Sequence, residues 1–206
     1  MSASQPGVWR RCAAGLVLLG AACAPLPAAA WVLTLATAPK QLFLAVGVAT
    51  AGAANATINT VSVTVPAASL GNGVALPMSS DSTQAASPYD GYTVCTPPAQ
   101  VYIGASYRQP GATTGAASAT LQVAAPATLS NGVNTIPVSQ ISWSSTAIGN
   151  AAADIPAGTF TGSTQFLANI GRNTWVENCF TYSYANAAFV AAGTYTGRAV
   201  FTLLVP

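Results

Sequence analysis

The sequence predicts an all-β sandwich, and three observations lead to that prediction. Runs in which apolar and polar residues alternate recur along most of the chain, which is the period of a half-buried strand. Asn-Gly and Asp-Gly pairs and frequent prolines separate these runs, as tight turns separate strands. No segment beyond the first thirty residues has a convincing helical period. About nine short strands joined by turns favour two packed sheets.

In chain order, the predicted strands cover residues 31–35, 42–48, 57–65, 92–95, 101–107, 120–123, 138–143, 175–184 and 195–205. The clearest alternation is in 57–65, where Val61, Val63 and Val65 point to one side and polar residues to the other. The turns that separate the strands include Asn72-Gly73, Asp90-Gly91 and Asn131-Gly132.

Composition restricts the function. Of 206 residues, 51% are hydrophobic, 5% are charged and none is histidine. Such a chain can bury a core, unlike a disordered one, but it lacks the clustered Lys and Arg that nucleic-acid binding requires. It also lacks the side chain that most often serves as a general base or metal ligand. We therefore expect a globular protein with no nucleic-acid partner.

The first thirty residues have the pattern of a secretory signal peptide. Arg10 and Arg11 precede an apolar run over 12–24, and Ala28–Ala30 provides the small residues that signal peptidase accepts. We expect a signal peptide at 1–30 and one mature domain at 31–206. The alternative is a lipoprotein acylated at Cys23, but Gly20-Ala21-Ala22 lacks the large aliphatic residue usual three places before such a cysteine.

A membrane segment is not expected in the mature chain, because the apolar run over 42–54 is shorter than the ~18 residues that a spanning helix needs. Cleavage removes two of six basic residues, which leaves four basic and four acidic ones. The sequence thus predicts an exported protein of the periplasm, cell surface or extracellular space.

Cleavage also leaves only Cys95 and Cys179. Disulfides persist in oxidising compartments, so one structural bridge between these two residues is expected. The competing interpretation is a reactive or metal-binding thiol pair, but the sequence has no CxxC spacing, histidine or flanking cation to support it.

One internal similarity leaves two interpretations open. Residues 66–79 resemble residues 126–139, each with Pro, Asn-Gly and Pro in the same order. The similarity indicates either two duplicated modules or the same turn chemistry used twice within one domain.

The end of the chain carries a resemblance to a known family. An Ala-Gly-Thr-Tyr stretch at 192–195 precedes a strand that continues to the terminus, with Gly193 fourteenth from the end. The apolar residues that share one face of this strand are Tyr195, Phe201, Leu203 and Val205. This ending resembles the closing strand of bacterial chaperone-usher pilin subunits and of spore-coat-U-type secreted proteins. Pilins usually carry an aromatic residue where this chain has Val205.

The resemblance implies an incomplete immunoglobulin-like sandwich that a strand from a neighbouring subunit completes. It also implies two kinds of partner, a periplasmic chaperone that protects the open groove and other pilin-like subunits. Such completion is β-strand addition. The candidate donor is Trp31–Ala38, in which Trp31, Leu33 and Leu35 alternate with Val32, Thr34 and Ala36. An ordinary first strand of a closed sandwich would explain this alternation equally well.

Catalytic motifs and metal-ligand clusters are absent from the sequence, so we expect no enzyme activity, cofactor or metal. Asp154 and Glu177 are the one carboxylate pair considered, but Asp154 resembles a turn residue and Glu177 is expected to pair with Arg172 or to face solvent. We therefore expect an exported structural or interaction protein, a pilin-like or fimbria-related subunit.

The alternative is a monomeric secreted module that binds carbohydrate or protein. Its candidate platforms are aromatic side chains in the middle and C-terminal third, including Trp143 and Trp175. Core packing is the preferred explanation for these rings, particularly for Trp175, which is close in sequence to Cys179.

Overall fold

The computed structural model describes residues 38–48, 59–111 and 114–206. In chain order the strands are β1 (Gln41–Val46), β2 (Val61–Ser62), β3 (Leu76–Pro77), β4 (Ser79–Ser80), β5 (Val101–Arg108), β6 (Ser118–Ala124), β7 (Thr128–Ser130), β8 (Thr135–Pro137), β9 (Ile141–Thr146), β10 (Gly158–Thr159), β11 (Thr164–Gly171), β12 (Thr174–Tyr184) and β13 (Val200–Leu204). Single 3-10 turns occur at Ala67–Ser69 and Val138–Gln140. The predicted all-β fold is confirmed.

The strands form two larger antiparallel sheets and two short strand pairs. The large sheet has the order β1-β5-β12-β9-β10, and β3 also pairs with β12. The small sheet has the order β11-β6-β13. Strands β2 and β4 form one pair, and β7 and β8 form a hairpin around the predicted Asn131-Gly132 turn.

The two larger sheets share one apolar core. Strand β5 contributes Val101, Ile103 and Ala105 from its inner face, and β6 contributes Leu121 and Val123 from the small sheet. Alternation along each strand directs these side chains to one side. Burying each such aliphatic side chain contributes roughly 1.5–3 kcal/mol. This core fixes the positions of β1 and β13, the strands at the ends of their sheets.

The outer face of the large sheet has its own small apolar cluster. It contains Tyr102 of β5, Ala45 of β1 and the predicted disulfide between Cys95 and Cys179. The two Cα atoms are 5.6 Å apart across a sequence separation of 84 residues. The bridge therefore ties the segment that precedes β5 to the centre of β12.

Several predicted strands are shorter than expected or are not strands. Residues 92–95 form a loop with one isolated bridge between Ala86 and Thr93. The 138–143 run begins with the 3-10 turn, and 195–205 is a strand only from Val200. Within the described part of 57–65 only Val61–Ser62 is a strand, whereas 31–35 lies outside the described residues.

No helix in 38–48, 59–111 or 114–206 has the length and hydropathy to cross a membrane.

Strand β11 was missed because its side chains do not alternate. A bulge between Phe166 and Ala168 shifts its register against β6. Consequently Leu167 and Ala168 are both buried, while Phe166 is exposed. A β-bulge adds one residue to a strand and so interrupts the period that sequence analysis relies on.

Candidate functional site

The last strand, β13, lies at the end of the small sheet. It pairs with β6 along one edge, from Val200 opposite Ala124 to Leu204 opposite Thr120. Among the residues that the structure describes, no strand pairs with its other edge. An edge strand of this kind leaves a row of N–H and C=O groups available to another chain.

The inward face of the chain end packs against the core. Leu203 is buried, and Phe201 and Val205 are half-buried against the same cluster. Tyr195 is not part of this cluster, and its hydroxyl donates to the Ala191 carbonyl at 2.9 Å. Three of the four residues expected on one face therefore contact the core.

Residues 193–197 leave the small sheet and pack on the β7–β8 hairpin. Thr196 and Ser130 exchange two backbone hydrogen bonds of 2.9 Å. A Cβ at Gly197 would lie 2.5 Å from Leu129 Cδ2, and one at Gly193 would lie 2.7 Å from Asn131 Nδ2. Close approach to the hairpin explains Gly197, whereas a Cβ at Gly193 would meet the flexible end of the Asn131 side chain. Pairing with the hairpin also explains why the predicted strand starts five residues later than expected.

An apolar groove borders the start of β13, at Val200 and Phe201. Its volume is about 350 Å³. The lining comes from both sheets and includes Val46, Met78, Val101, Ile141, Phe160 and Phe201. Strand β1, which supplies Val46, pairs only with β5 among the described strands, so it too ends its sheet. The groove therefore has apolar side chains inside and end strands from both sheets nearby.

Two of the residues that line the groove, Asn59 and Arg198, are polar. Asn59 lines it, and its Oδ1 accepts from the Val48 N–H at 3.1 Å. The Asn59 amide and the Thr60 N–H both donate to Asp81 Oδ1, at 3.1 and 2.8 Å. These two donors lower the pKa of Asp81 below its ordinary value. Arg198 is exposed and also lines the groove.

The candidate donor residues Trp31, Leu33 and Leu35 lie outside the described residues. Their expected role in strand addition therefore stays a prediction.

The two carboxylates considered for chemistry have different partners. Asp154 accepts a hydrogen bond from the Asn150 amide at 2.7 Å. Glu177 Oε2 accepts from the Tyr102 hydroxyl at 2.8 Å and from the Trp175 indole N–H at 3.0 Å. Burial, and then the hydrogen bond to Glu177, raise the pKa of Tyr102 above its ordinary value.

Of the two environments expected for Glu177, pairing with Arg172 was wrong, because Arg172 donates instead to the Thr114 carbonyl at 2.9 Å, and Glu177 is half-buried rather than fully exposed to solvent. No group of three His, Cys, Asp or Glu side chains in the described part of the chain could hold a metal ion.

The two tryptophans singled out from the sequence lie in different surroundings. Trp143 is buried in the core between Phe160 and Phe180, with ring centroids 5.0 and 5.6 Å away. Trp175 is half-buried on the outer face and stacks with Phe43 and Tyr89, both at 4.8 Å. The sequence does not predict this three-ring stack, because nothing in it shows which strands become neighbours.

Comparison with known proteins adds no family assignment: no family model, curated protein or solved structure matches this chain.

Proposed function

We propose that this protein is an exported, pilin-like or fimbria-related subunit with an immunoglobulin-like sandwich, and that it assembles by β-strand addition. The observation that carries the proposal is the free edge of β13 beside an apolar groove of about 350 Å³. The Cys95–Cys179 disulfide fits an oxidising compartment such as the periplasm or cell exterior.

Strand addition would satisfy two kinds of group at this place. Each backbone hydrogen bond to the free edge of β13 contributes about 0.5–1.5 kcal/mol net. Each aliphatic side chain that enters the groove contributes roughly 1.5–3 kcal/mol by leaving water. Backbone pairing supplies affinity, and the alternating side chains select the register. A periplasmic chaperone would protect the same groove before assembly.

The proposed donor is residues 31–38 of a neighbouring copy. Trp31, Leu33 and Leu35 would face the groove, and Val32 and Thr34 would face away. When extended, the eight residues of this segment span about 26 Å, which is enough to run along the five residues of β13. The donor segment has no acidic or basic residue before Lys40, which suits an apolar groove.

The test is the association state of the mature chain in size-exclusion chromatography and analytical ultracentrifugation. We expect concentration-dependent association that the double substitution Leu33→Asp and Leu35→Asp abolishes. The matched control is Val32→Asp with Thr34→Asp, which changes the opposite face of the same segment and should preserve more of the association. A stable, non-associating mature monomer with a high melting temperature would refute strand addition.

A further inference from the structure

The outer face of the large sheet carries an aromatic stack, and none of its residues lines the groove. One row of side chains crosses β1, β5 and β12 and consists of Phe43, Ser106 and Trp175. Ser106 lies directly opposite Phe43 on one side and directly opposite Trp175 on the other. Directly opposed residues of antiparallel strands point to the same face. Ser106 is small and buried, so the two rings meet above it with an interplanar angle of 23°.

A third ring extends this stack into solvent. Tyr89 stacks on Trp175 with a centroid distance of 4.8 Å, yet 65% of its surface is exposed. A ring that stacks on one side and is exposed to this extent presents its other side to solvent. The stack is therefore an accessible aromatic platform, defined here as Phe43, Trp175 and Tyr89.

The turn that carries Tyr89 is held by its own hydrogen bonds. The Ser87 N–H donates to the Tyr92 carbonyl at 2.8 Å, and Ser87 Oγ accepts from the Tyr89 N–H at 3.1 Å. Asp90 Oδ1 accepts from the Tyr92 N–H at 3.0 Å. Because Cys95 follows this turn and is bonded to β12, the chain holds Tyr89 in position before any ligand arrives.

Glu177 places a hydrogen-bond acceptor at the edge of the platform. Both of its protein donors, Tyr102 and Trp175, bond to the same oxygen, Oε2. In the described part of the chain, no hydrogen bond to Oε1 is observed, and Glu177 is only half-buried. Oε1 is therefore an acceptor available to a ligand that lies against the indole edge.

The platform is bordered by groups of both signs. Arg108 pairs in register with Gln41, one row along the outer face from Phe43 and Ser106, and it is exposed. Two carboxylates also lie at this border: Asp90 in the turn that carries Tyr89, and Glu177 on β12 beside Trp175. A strongly anionic or cationic ligand would meet a like charge at this surface. Hydroxyl groups, which both donate and accept hydrogen bonds, match such a border.

We propose that the aromatic platform binds a neutral saccharide, whose C–H face stacks on Tyr89 and whose hydroxyl donates to Glu177 Oε1. Aromatic side chains with an apolar face and polar surroundings suit such a ligand. The site does not depend on strand addition, because none of its residues lines the groove. If both proposals are correct, the platform would give an assembled subunit an adhesive surface.

Affinity electrophoresis of the mature protein in gels that contain hydroxyethylcellulose, laminarin or galactomannan tests the proposal. At least one of these neutral polysaccharides should retard the protein. Tyr89→Ala should weaken the interaction roughly two- to tenfold, the range expected for loss of one stacking contact. Tyr89→Phe should retain it, and Glu177→Gln should weaken it less than Tyr89→Ala does.

The matched control is Tyr92→Ala. Tyr92 lies in the same turn and is 74% exposed, but among the described rings none stacks with it. Far-ultraviolet circular dichroism and the urea unfolding midpoint of each variant establish that it is still folded. Equal losses for Tyr89→Ala and Tyr92→Ala would overturn the proposal. So would retardation by polygalacturonate or chitosan alone, or by none of the neutral polysaccharides.

Discussion

The groove side and the outer face of the large sheet differ in what covers their apolar side chains. On the outer face, the chain itself covers Tyr102 and joins Cys95 to Cys179. On the groove side, β1 and β13 each have one strand partner among the described residues, and apolar side chains line a cavity of about 350 Å³. Among the described residues, the outer cluster is held together by a disulfide, whereas on the groove side two strands each pair along one edge only.

Strand β1 shows that the same alternation serves both sides. Phe43 and Ala45 belong to the outer cluster, whereas Leu44 and Val46 pack against the core, where Val46 also lines the groove. The difference therefore lies in what covers each face. We expect changes on the outer face to reduce the free energy of unfolding, and changes around the groove to act mainly on association.

The largest expected effect is removal of the disulfide. With a sequence separation of 84 residues, replacing Cys95 and Cys179 by Ser should reduce the free energy of unfolding by up to about 4–5 kcal/mol on the chain-entropy model. Urea unfolding of wild type with and without reductant, and of the double variant, measures the loss. A change below about 1 kcal/mol would show that the covered face does not depend on its covalent link.

Gly104→Ala should have the next largest effect. A Cβ at this position would lie 2.2 Å from the hydroxyl oxygen of Tyr102 and 2.7 Å from Cζ of Tyr102. The Tyr102 side chain is fully buried, so it has little room to move away. Overpacking of this kind costs typically about 1–3 kcal/mol. Gly193→Ala is the matched control, because its Cβ would meet only the end of the Asn131 side chain. Equal unfolding midpoints for the two variants would contradict this account of Gly104.

Alkaline pH should also destabilise the fold through two buried tyrosines, Tyr102 on the outer face and Tyr182 in the core beside the groove. Burial raises the pKa of Tyr102 and of Tyr182 in the folded state above the ordinary value of 10.0. The unfolded chain therefore releases these protons first, and their contribution is complete below about pH 10 and lost as pH rises. Each phenol should contribute a loss of about 1.4 kcal/mol per pH unit.

Unfolding in urea between about pH 9 and pH 11 measures this loss. Tyr182→Phe removes one of the two phenols, so the free energy of unfolding should fall less steeply with pH in this variant. The same slope in wild type and in Tyr182→Phe would exclude Tyr182 as a contributor.

The sequence predicts the elements whose periodicity is intact. Strands β5 and β12 are continuous β-rich runs, and the disulfide follows because removal of the predicted leader leaves only two cysteines. Strand β11 was missed because its bulge breaks the period. The two similar segments contain similar turns, with Asn72 Oδ1 accepting from the Val74 N–H and Asn131 Oδ1 from the Val133 N–H.

The groove and the aromatic platform could not be predicted in the same way. Both depend on which distant strands are neighbours. Phe43 and Trp175 meet only because β5 lies between their strands and presents small Ser106 beneath the rings. Alternation in the sequence predicts which face of a strand a side chain lies on, but not which residues that face will contact. The contacts depend on the order in which the strands pair, and that order is set by long-range interactions.

The smallest expected effect concerns Asp81, whose carboxylate holds Asn59 and Thr60 beside the groove. Because these donors lower its folded-state pKa, Asp81 contributes stability that is present above its ordinary pKa of 3.8 and is lost as pH falls through the folded value. The group is exposed, so water and salt should keep the effect small.

The variant Asp81→Asn should lose less stability on acidification than the wild type. The control is Asp90→Asn, at an exposed turn away from the groove lining. Urea unfolding between about pH 5 and pH 2 compares them. If both variants respond alike, Asp81 does not stabilise the edge of the groove, and the polar anchoring of that side must come from Asn59 and its bond to Val48.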